Sequence, residues 1–366
     1  MSSQQTNKQT NKQTNKQTNK QTNNRFSYID WAKAIAIALI CIGHFLPRGN
    51  TYKVIFYAFH VPIFAFISGF LSQAPSNVRE LGKKLLRLCT RIFVPYVIWH
   101  FISGIISVRQ GFRDWNQVFK SFFFLDGMTV WNDALWYAPS IFIVCVVFTL
   151  FAYLVKGNKF AVLGLGCASL VSFICLMHFK INITAFRYSN FLGARNLIML
   201  LGFVCLGYFF KDIIKFIVNF KENPYKNYFL YGSAGLFLIS IYLVDKLNHK
   251  NPITLLYGDY NNIYHFVFFA LTISISLLLS CALLPNSKIA SSLSRHSLLI
   301  MCSHYIFLLE LVWNTTVSAS NDSVIILWSL GINVVLFYAI LCPIVDFLCD
   351  KVPFLKKIFY VFGFGY

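Results

Sequence analysis

Three ionisable residues, Lys33, His44 and His60, have the types and the spacing that acid–base chemistry needs. Lys33 and His44 both lie in the apolar segment YIDWAKAIAIALICIGHF, eleven residues apart. On a helix this separation is about 1100° of rotation, or three turns plus roughly 20°, and about 16 Å along the axis. A cation at one end and an imidazole near the other therefore share one helical face. The alternatives are surface snorkelling for Lys33 and a packing role for His44.

His60 lies in a second apolar segment, FYAFHVPIFAFISGF. A short hairpin separates the two segments, so His60 is at a depth similar to that of His44 and the two imidazoles could meet. A paired histidine is suited to act as a general base near neutral pH. A structural role is the alternative for His60. Ser68 and Gly69, near the end of the segment, favour close packing of helices.

The elements that carry these residues are predicted to cross a membrane. Hydrophobic residues make up 57% of the chain and charged residues 12%, with a mean hydropathy of +0.60, whereas a soluble domain has about 25% charged residues. The apolar residues fall in blocks of roughly 18 to 22, the length that spans a bilayer. We therefore predict an all-α, polytopic membrane bundle of about ten transmembrane helices. The blocks lie near residues 30–47, 54–72, 92–109, 136–155, 161–178, 196–211, 228–245, 263–284, 297–314 and 325–348.

The distribution of basic residues predicts the orientation of the bundle. The chain has 32 basic and 13 acidic residues, a net charge of +19. The loops after every second predicted helix are basic, as are both ends of the chain, and the positive-inside rule assigns such segments to the cytoplasm. Both termini are therefore predicted to be cytoplasmic, and the charge implies no nucleic-acid partner. Lys180, Arg187 and Arg195 are exceptions, because they lie on the opposite side.

The chain divides into three predicted regions. Residues 1–24, which contain TNKQ four times in succession, are predicted to be a disordered tail because they have almost nothing to bury. The four-residue period suggests a slippage tract that switches expression of the gene on and off, the hypothesis of phase variation. Residues 25–350 are the predicted transmembrane domain, and residues 351–366 a short cytoplasmic tail. The ten cysteines are scattered without a CxxC pair, so no metal site is predicted.

The two histidine-bearing segments resemble the membrane-bound acyltransferase-3 family, and within it the branch similar to fucose 4-O-acetylases. The resemblance rests on DxxKAIAI, on GH and on FHVPIFAFISGF between Tyr28 and Phe70. The family's signature is an arginine, ten residues and a histidine in the first helix. Here Lys33 stands at the arginine position, where it keeps the charge but loses the planar fork, and His44 is the histidine. Weaker matches extend the resemblance over residues 25–350, namely KKLLRLCTRIFVPY, LWY, GARNL and SLLIMCSHYIFLLE.

The resemblance implies an O-acetyltransferase of the inner membrane, which moves an acetyl group from cytoplasmic acetyl-CoA to a sugar hydroxyl of an envelope glycan. The acceptor would be a lipopolysaccharide, a capsule or a lipid-linked precursor. His44 would act as general base or carry the acetyl group covalently, with His60, Lys33 and Glu310 as further catalytic residues. A basic cluster at the start of the third helix suits the CoA phosphates, although orientation alone would also place basic residues there. Its members are Lys83, Lys84, Arg87 and Arg91.

Four further residues are candidates for binding the acceptor. Trp136 and Tyr137 could stack on a sugar, although both residue types are common at membrane interfaces. Arg195 could hold an anionic sugar or a lipid phosphate, and His304 lies in the middle of the ninth predicted helix. The alternative activity is that of a glycan or lipid transporter or flippase, which would use the intramembrane charges as its pathway.

Overall fold

The computed structural model describes residues 26–47, 49–124, 132–179, 194–219, 225–248, 253, 255, 260, 262–312 and 321–365. Within these ranges the side chains of residues 124, 133, 194–195, 248, 307–312 and 321–323 are not included. The described residues form helices and connecting turns, without a β-strand. The all-α prediction is therefore confirmed.

Fifteen α-helices follow one another along the described chain. The first six are α1 (Ser27–Phe45), α2 (Thr51–Tyr57), α3 (His60–Phe70), α4 (Val78–Leu88), α5 (Val94–Arg109) and α6 (Trp115–Phe124). The next five are α7 (Tyr137–Leu154), α8 (Lys159–His178), α9 (Ala194–Asn219), α10 (Lys226–Asn248) and α11 (Ile263–Ser280). The last four are α12 (Lys288–Arg295), α13 (Ser297–Val312), α14 (Asn321–Lys351) and α15 (Pro353–Val361). A π-helical turn, Cys89–Phe93, joins α4 to α5.

Nine helical segments in the described part of the chain are long and apolar enough to cross a membrane. They correspond to the first eight predicted spans and to the tenth. The ninth predicted span, 297–314, is α13, an apolar helix of 16 residues that falls just short of that length. Each predicted span thus contains a helix, and the prediction of a polytopic helical membrane bundle is confirmed.

A break in the second span determines the position of His60. Pro62 has no backbone N–H, so in a helix interior it would cost a hydrogen bond and clash with the preceding turn. The helix instead ends at Tyr57 and restarts at His60. Pro62 therefore falls in the first turn of α3, where its missing N–H would have had no helical partner. His60 lies at the start of this helix, three residues after Tyr57.

Helices α3 and α9 pack with their backbones in direct contact. A Cβ atom added at Gly69 would lie 1.8 Å from the Val204 carbonyl oxygen, and one added at Gly207 would lie 1.9 Å from the Phe66 carbonyl oxygen. Small residues allow this close approach between membrane helices. The packing role predicted for Gly69 is therefore confirmed.

Replacing Gly207 with alanine is expected to destabilise the bundle by about 1–3 kcal/mol, because the two helix backbones must separate to admit a methyl group. The midpoint of thermal unfolding in mild detergent measures the effect. Gly232→Ala in α10 is the matched control, since its added Cβ would meet nothing within 4 Å. An unchanged midpoint for Gly207→Ala would contradict the packing described here.

A polar network fixes the short helix α12 to α14 at the end of the bundle that carries Lys33, here called the basic end. Asp346 Oδ2 accepts a hydrogen bond from Ser292 Oγ at 2.7 Å. Asp346 Oδ1 accepts hydrogen bonds from Arg295 Nη1 at 2.9 Å and from His296 Nε2 at 3.0 Å. Because two donors on α12 and a third on the residue between α12 and α13 converge on one carboxylate, the turn between these helices has a defined position.

Candidate active site

Five aromatic rings from four helices meet at the end of α1 opposite Lys33, and we call them the histidine cluster. The ring centroid of His44 lies 5.1 Å from that of His304, 5.4 Å from that of Tyr305 and 5.8 Å from that of Tyr57. The Tyr57 centroid lies 4.6 Å from that of His60. His60 and His304 are buried, and His44 is partly buried. The fold thus gathers three imidazoles in one place.

The hydrogen bonds of two of these histidines fix which ring nitrogen carries the proton. His304 Nδ1 lies 2.9 Å from the Ile300 carbonyl oxygen, and His60 Nδ1 lies 2.6 Å from the Phe56 carbonyl oxygen. A carbonyl only accepts, so both Nδ1 atoms donate, and in the neutral rings Nε2 holds the lone pair. His304 Nε2 is buried and has no hydrogen-bond partner in the described part of the chain. Buried polar atoms are usually satisfied, which makes this nitrogen a candidate to bind a ligand or to accept a proton.

The direct imidazole neighbour of His44 is His304, a residue far away in the sequence. His60 contacts Tyr57, and Tyr57 contacts His44, so the predicted His44–His60 pair is connected through a tyrosine ring. The break before α3 accounts for this arrangement, because it turns the chain between Tyr57 and His60. No described residue hydrogen-bonds to the His44 imidazole. Its ring is held by neighbouring rings and keeps its nitrogens for other partners.

A cavity of about 230 Å³ opens at the basic end of the bundle. Three cationic side chains line it, Lys33 of α1, Arg91 of the π-helical turn and Arg295 of α12, and none of its described lining residues is acidic. The Lys33 ammonium donates a hydrogen bond to the Ser294 carbonyl oxygen at 2.7 Å. The rest of the lining is Ile37, Phe64, Ser68, Ile92, Tyr137, Ile141, Ser297, Leu298, Met301, Tyr360, Gly363, Phe364 and Gly365. This composition suits an anionic ligand that has an apolar part.

Two helices lead from the cavity to the histidine cluster. Ile37 of α1 lines the cavity, and His44 follows seven residues later on the same helix, which is about 10 Å along the axis. Met301 of α13 also lines the cavity, and His304 follows within one turn. A ligand bound at the cations could therefore extend along α1 and α13 towards His44.

The family model described as "Acyltransferase domain" matches residues 26–357. This chain belongs to that acyltransferase family. The match covers the histidine cluster and all three cations of the cavity, and it confirms the family that the sequence resembles. Acyl transfer is therefore the class of activity, and the transporter alternative is set aside. The narrower resemblance to fucose 4-O-acetylases stays a prediction. No curated protein and no solved structure matches the chain.

The acyltransferase has a lysine beside its histidine cluster that the sequence did not reveal as a candidate. Lys53 of α2 donates a hydrogen bond to the Leu46 carbonyl oxygen at 2.7 Å, and its ammonium lies 5.3 Å from the Tyr57 ring centroid. Lys53 and Tyr57 are four residues apart, a spacing that places them on one helical face. That spacing is the signal in the sequence that could have found this residue.

The predicted phosphate-binding cluster is divided between two surfaces of the acyltransferase. Arg91 lines the cavity, whereas Lys83 and Arg87 lie on the exposed side of α4 and are not among the lining residues. Lys84 donates to the Gln73 carbonyl oxygen at 2.6 Å, and its ammonium lies 5.9 Å from the Phe148 ring centroid. A π-helical turn holds one extra residue, which changes the direction of the side chains that it carries. This turn separates Arg91 from the rest of the cluster.

The residues predicted to bind the acceptor fall in different places. Tyr137 lines the same cavity as Lys33, and the ring centroid of Trp136 lies 5.9 Å from that of Tyr137. His304 belongs to the histidine cluster. The side chains of Arg195 and Glu310 lie outside the described part of the chain, so their roles stay predictions.

Two further histidines, His100 and His178, make contacts between neighbouring helices. His100 is buried in α5, and its Nε2 lies 3.0 Å from the Val118 carbonyl oxygen, which links α5 to α6. His178 Nδ1 lies 3.0 Å from the Tyr264 hydroxyl, at the ends of α8 and α11. Both contacts join neighbouring helices, so these histidines have structural roles. Among the described residues no three His, Cys, Asp or Glu side chains are grouped to hold a metal ion.

Proposed function

We propose that this protein is an O-acetyltransferase of the inner membrane, which moves an acetyl group from cytoplasmic acetyl-CoA to a sugar hydroxyl of a cell-envelope glycan. One observation carries the proposal: helix α1 contributes Lys33 to a cation-lined cavity at one end and His44 to the histidine cluster at the other. Donor binding and group transfer then occur on the same helical face. The glycan would be a lipopolysaccharide, a capsule or a lipid-linked precursor.

The donor binds from the basic end. Its phosphates pair with Lys33, Arg91 and Arg295, since cations at a partly enclosed site form strong charge-assisted hydrogen bonds with phosphate oxygens. The apolar lining of the cavity accommodates the thioester-bearing arm, which follows α1 and α13 for about 10 Å to reach His44. Tyr137 lies on this path, so its side chain contacts the arm or the acceptor.

The transfer itself uses His44 as general base. The imidazole takes the proton of the acceptor hydroxyl while the hydroxyl oxygen attacks the thioester carbonyl carbon. The new C–O bond forms, the C–S bond breaks, and the departing sulfur receives the proton from His44, which regenerates the base. The Nε2 lone pair of His304 can accept a hydrogen bond from protonated His44, and the Lys53 ammonium supplies positive charge near the developing oxyanion.

A covalent route through the same residue is the second candidate, and the adjacent imidazoles of His44 and His304 favour it. A His44 nitrogen would attack the thioester carbonyl carbon, the C–S bond would break, and the departing sulfur would take the proton released by the other His44 nitrogen. The acceptor oxygen would then attack the acetyl carbon and break its C–N bond to His44. In this second step His304 would take the hydroxyl proton and pass it to the departing His44 imidazole. Mass spectrometry of an acid-quenched reaction without acceptor distinguishes the two routes, because only the covalent route leaves an acetyl group on His44.

The acceptor is tested in a deletion strain complemented with the gene. Mass spectrometry of the envelope glycans is expected to show the mass of one added acetyl group on a sugar, removable by mild alkali as an ester. The complemented strain should contain this product and the deletion strain should lack it. Identical glycans in the two strains would contradict the proposed acceptor class.

Sequencing the DNA that encodes the TNKQ repeats tests phase variation. The length of this tract should differ between cells that express the gene and descendants in which expression has switched.

A further inference from the structure

The last two residues of α15 and the four that follow it, residues 360–365, fold back onto the cavity at the basic end, and we call them the cavity wall segment. Trp99 Nε1 of α5 donates a hydrogen bond to the Phe362 carbonyl oxygen at 2.9 Å. The Gly365 N–H donates to His296 Nδ1 at 3.2 Å. The Tyr360 hydroxyl lies 3.0 Å from Thr90 Oγ1. Three separate elements therefore hold this segment in place.

An apolar side chain anchors the cavity wall segment. Phe364 is only 8% exposed, and its ring centroid lies 5.0 Å from that of His296. It packs with Leu299, Val345 and Cys349 in a small hydrophobic core of its own. The segment is thus a packed part of the fold, whereas the sequence predicted residues 351–366 to be a cytoplasmic tail.

Two glycines allow the backbone of the cavity wall segment to fold back onto the cavity. Gly363 has a φ of +96°, a conformation that residues with a side chain rarely adopt. A Cβ atom at Gly365 would lie 2.1 Å from the Arg295 carbonyl oxygen. The backbone of Gly365 therefore lies so close to the backbone carbonyl of Arg295 that any residue with a Cβ atom would clash there.

The cavity wall segment lines the same cavity as the three cations. Tyr360, Gly363, Phe364 and Gly365 all line the cavity, as Lys33 does. The family match ends at residue 357, so the family relationship assigns no role to these positions. Without them, the cavity would lose a wall on the side of α12.

We propose that the cavity wall segment is part of the donor site, where it holds a phosphate-bearing thioester against Lys33, Arg91 and Arg295. Its residues act by position: the hydrogen bond from Gly365 to His296 and the packing of Phe364 keep the wall against Arg295. This proposal rests on the proposed donor, acetyl-CoA. The segment is therefore expected to affect binding of the donor and to leave the transfer step at His44 unchanged.

The kinetic test compares Gly365→Ala and a chain lacking residues 362–366 with the wild type, in vesicles supplied with acetyl-CoA. We expect both changes to raise the KM for the donor about tenfold, through lost contacts at one side of the site, with kcat at saturating donor little changed. Gly164→Ala in α8 is the matched control, because its Cβ would meet nothing within 4 Å. A wild-type donor KM for both changed proteins would overturn the proposal.

A second measurement is independent of the donor's identity. Ser297 lines the cavity, so a Ser297→Cys substitution places a thiol there that a hydrophilic maleimide can label. Labelling of the protein's own cysteines, measured without the substitution, is subtracted. We expect labelling to be faster when residues 362–366 are removed or Gly365 is replaced by alanine. Equal labelling rates would show that the segment does not cover the cavity. If the wild type transfers no acetyl group from acetyl-CoA, the proposal that acetyl-CoA is the donor is wrong. The labelling rates still show whether the cavity wall segment covers the cavity.

Discussion

The His44→Ala acyltransferase is expected to transfer acetyl groups about 10²- to 10⁴-fold more slowly than the wild-type enzyme, the usual contribution of a general base. The His44 ring contacts His304, Tyr305 and Tyr57, and in the proposed reaction it takes the proton of the acceptor hydroxyl. Alanine removes that base and leaves the neighbouring rings in place. The measurement is the initial rate of labelled acetyl transfer in vesicles that contain equal amounts of each protein.

The matched control for this substitution is His178→Ala. His178 lies at the exposed end of α8, where its ring bonds to the Tyr264 hydroxyl, and it takes no part in the histidine cluster. Its removal should leave the rate near that of the wild type. If His44→Ala keeps the wild-type rate while the protein is stably present in the membrane, another group is the base and the mechanism proposed above is wrong.

Replacing Lys33 with alanine is expected to raise the KM for the acyl donor about 10- to 100-fold, because a charged group that pairs with phosphate contributes about 1.5–3 kcal/mol. Lys33→Arg should retain most of the affinity, since it keeps the positive charge in the cavity. The Lys33 side chain is not part of the histidine cluster, so kcat at saturating donor should change much less than the donor KM. Initial rates over a range of acetyl-CoA concentrations measure both quantities.

Lys83→Ala distinguishes the cavity from the basic surface of α4. Lys83 is exposed and is not among the residues that line the cavity, so its removal should leave the donor KM close to the wild-type value. The sequence alone predicts that Lys83 binds the CoA phosphates together with Arg91. A larger rise in donor KM for Lys83→Ala than for Lys33→Ala would therefore move the phosphate site from the cavity to the surface of α4.

Hydropathy predicts the membrane helices well because it reports a property of each segment by itself. A block of about 20 apolar residues must form a helix in a bilayer whatever its neighbours are. The shared face of Lys33 and His44 follows for the same reason, since both belong to one continuous helix. The break before His60 is a local effect as well, because Pro62 decides where α3 begins.

The partners across the bundle depend on tertiary packing, which no local pattern encodes. His304 lies about 260 residues after His44 in the sequence, and nothing near either residue predicts that their rings meet. Arg295 joins the cavity because Asp346, on α14, holds the end of α12. Gly365 approaches Arg295 only after the chain beyond α15 has folded back. These contacts required the fold, whereas the residue types alone indicated that histidines and cations would carry the chemistry.

The claim that Lys33 binds the donor while His44 carries out the transfer is tested most directly by the kinetics of Lys33→Ala and His44→Ala. Rates are measured over ranges of both donor and acceptor concentration in the same membrane preparation. We predict that Lys33→Ala raises the KM for the donor with a smaller change in kcat, and that His44→Ala lowers kcat about 10²-fold or more. Two variants that change the same kinetic parameter to the same extent would contradict separate donor-binding and transfer ends of this helix.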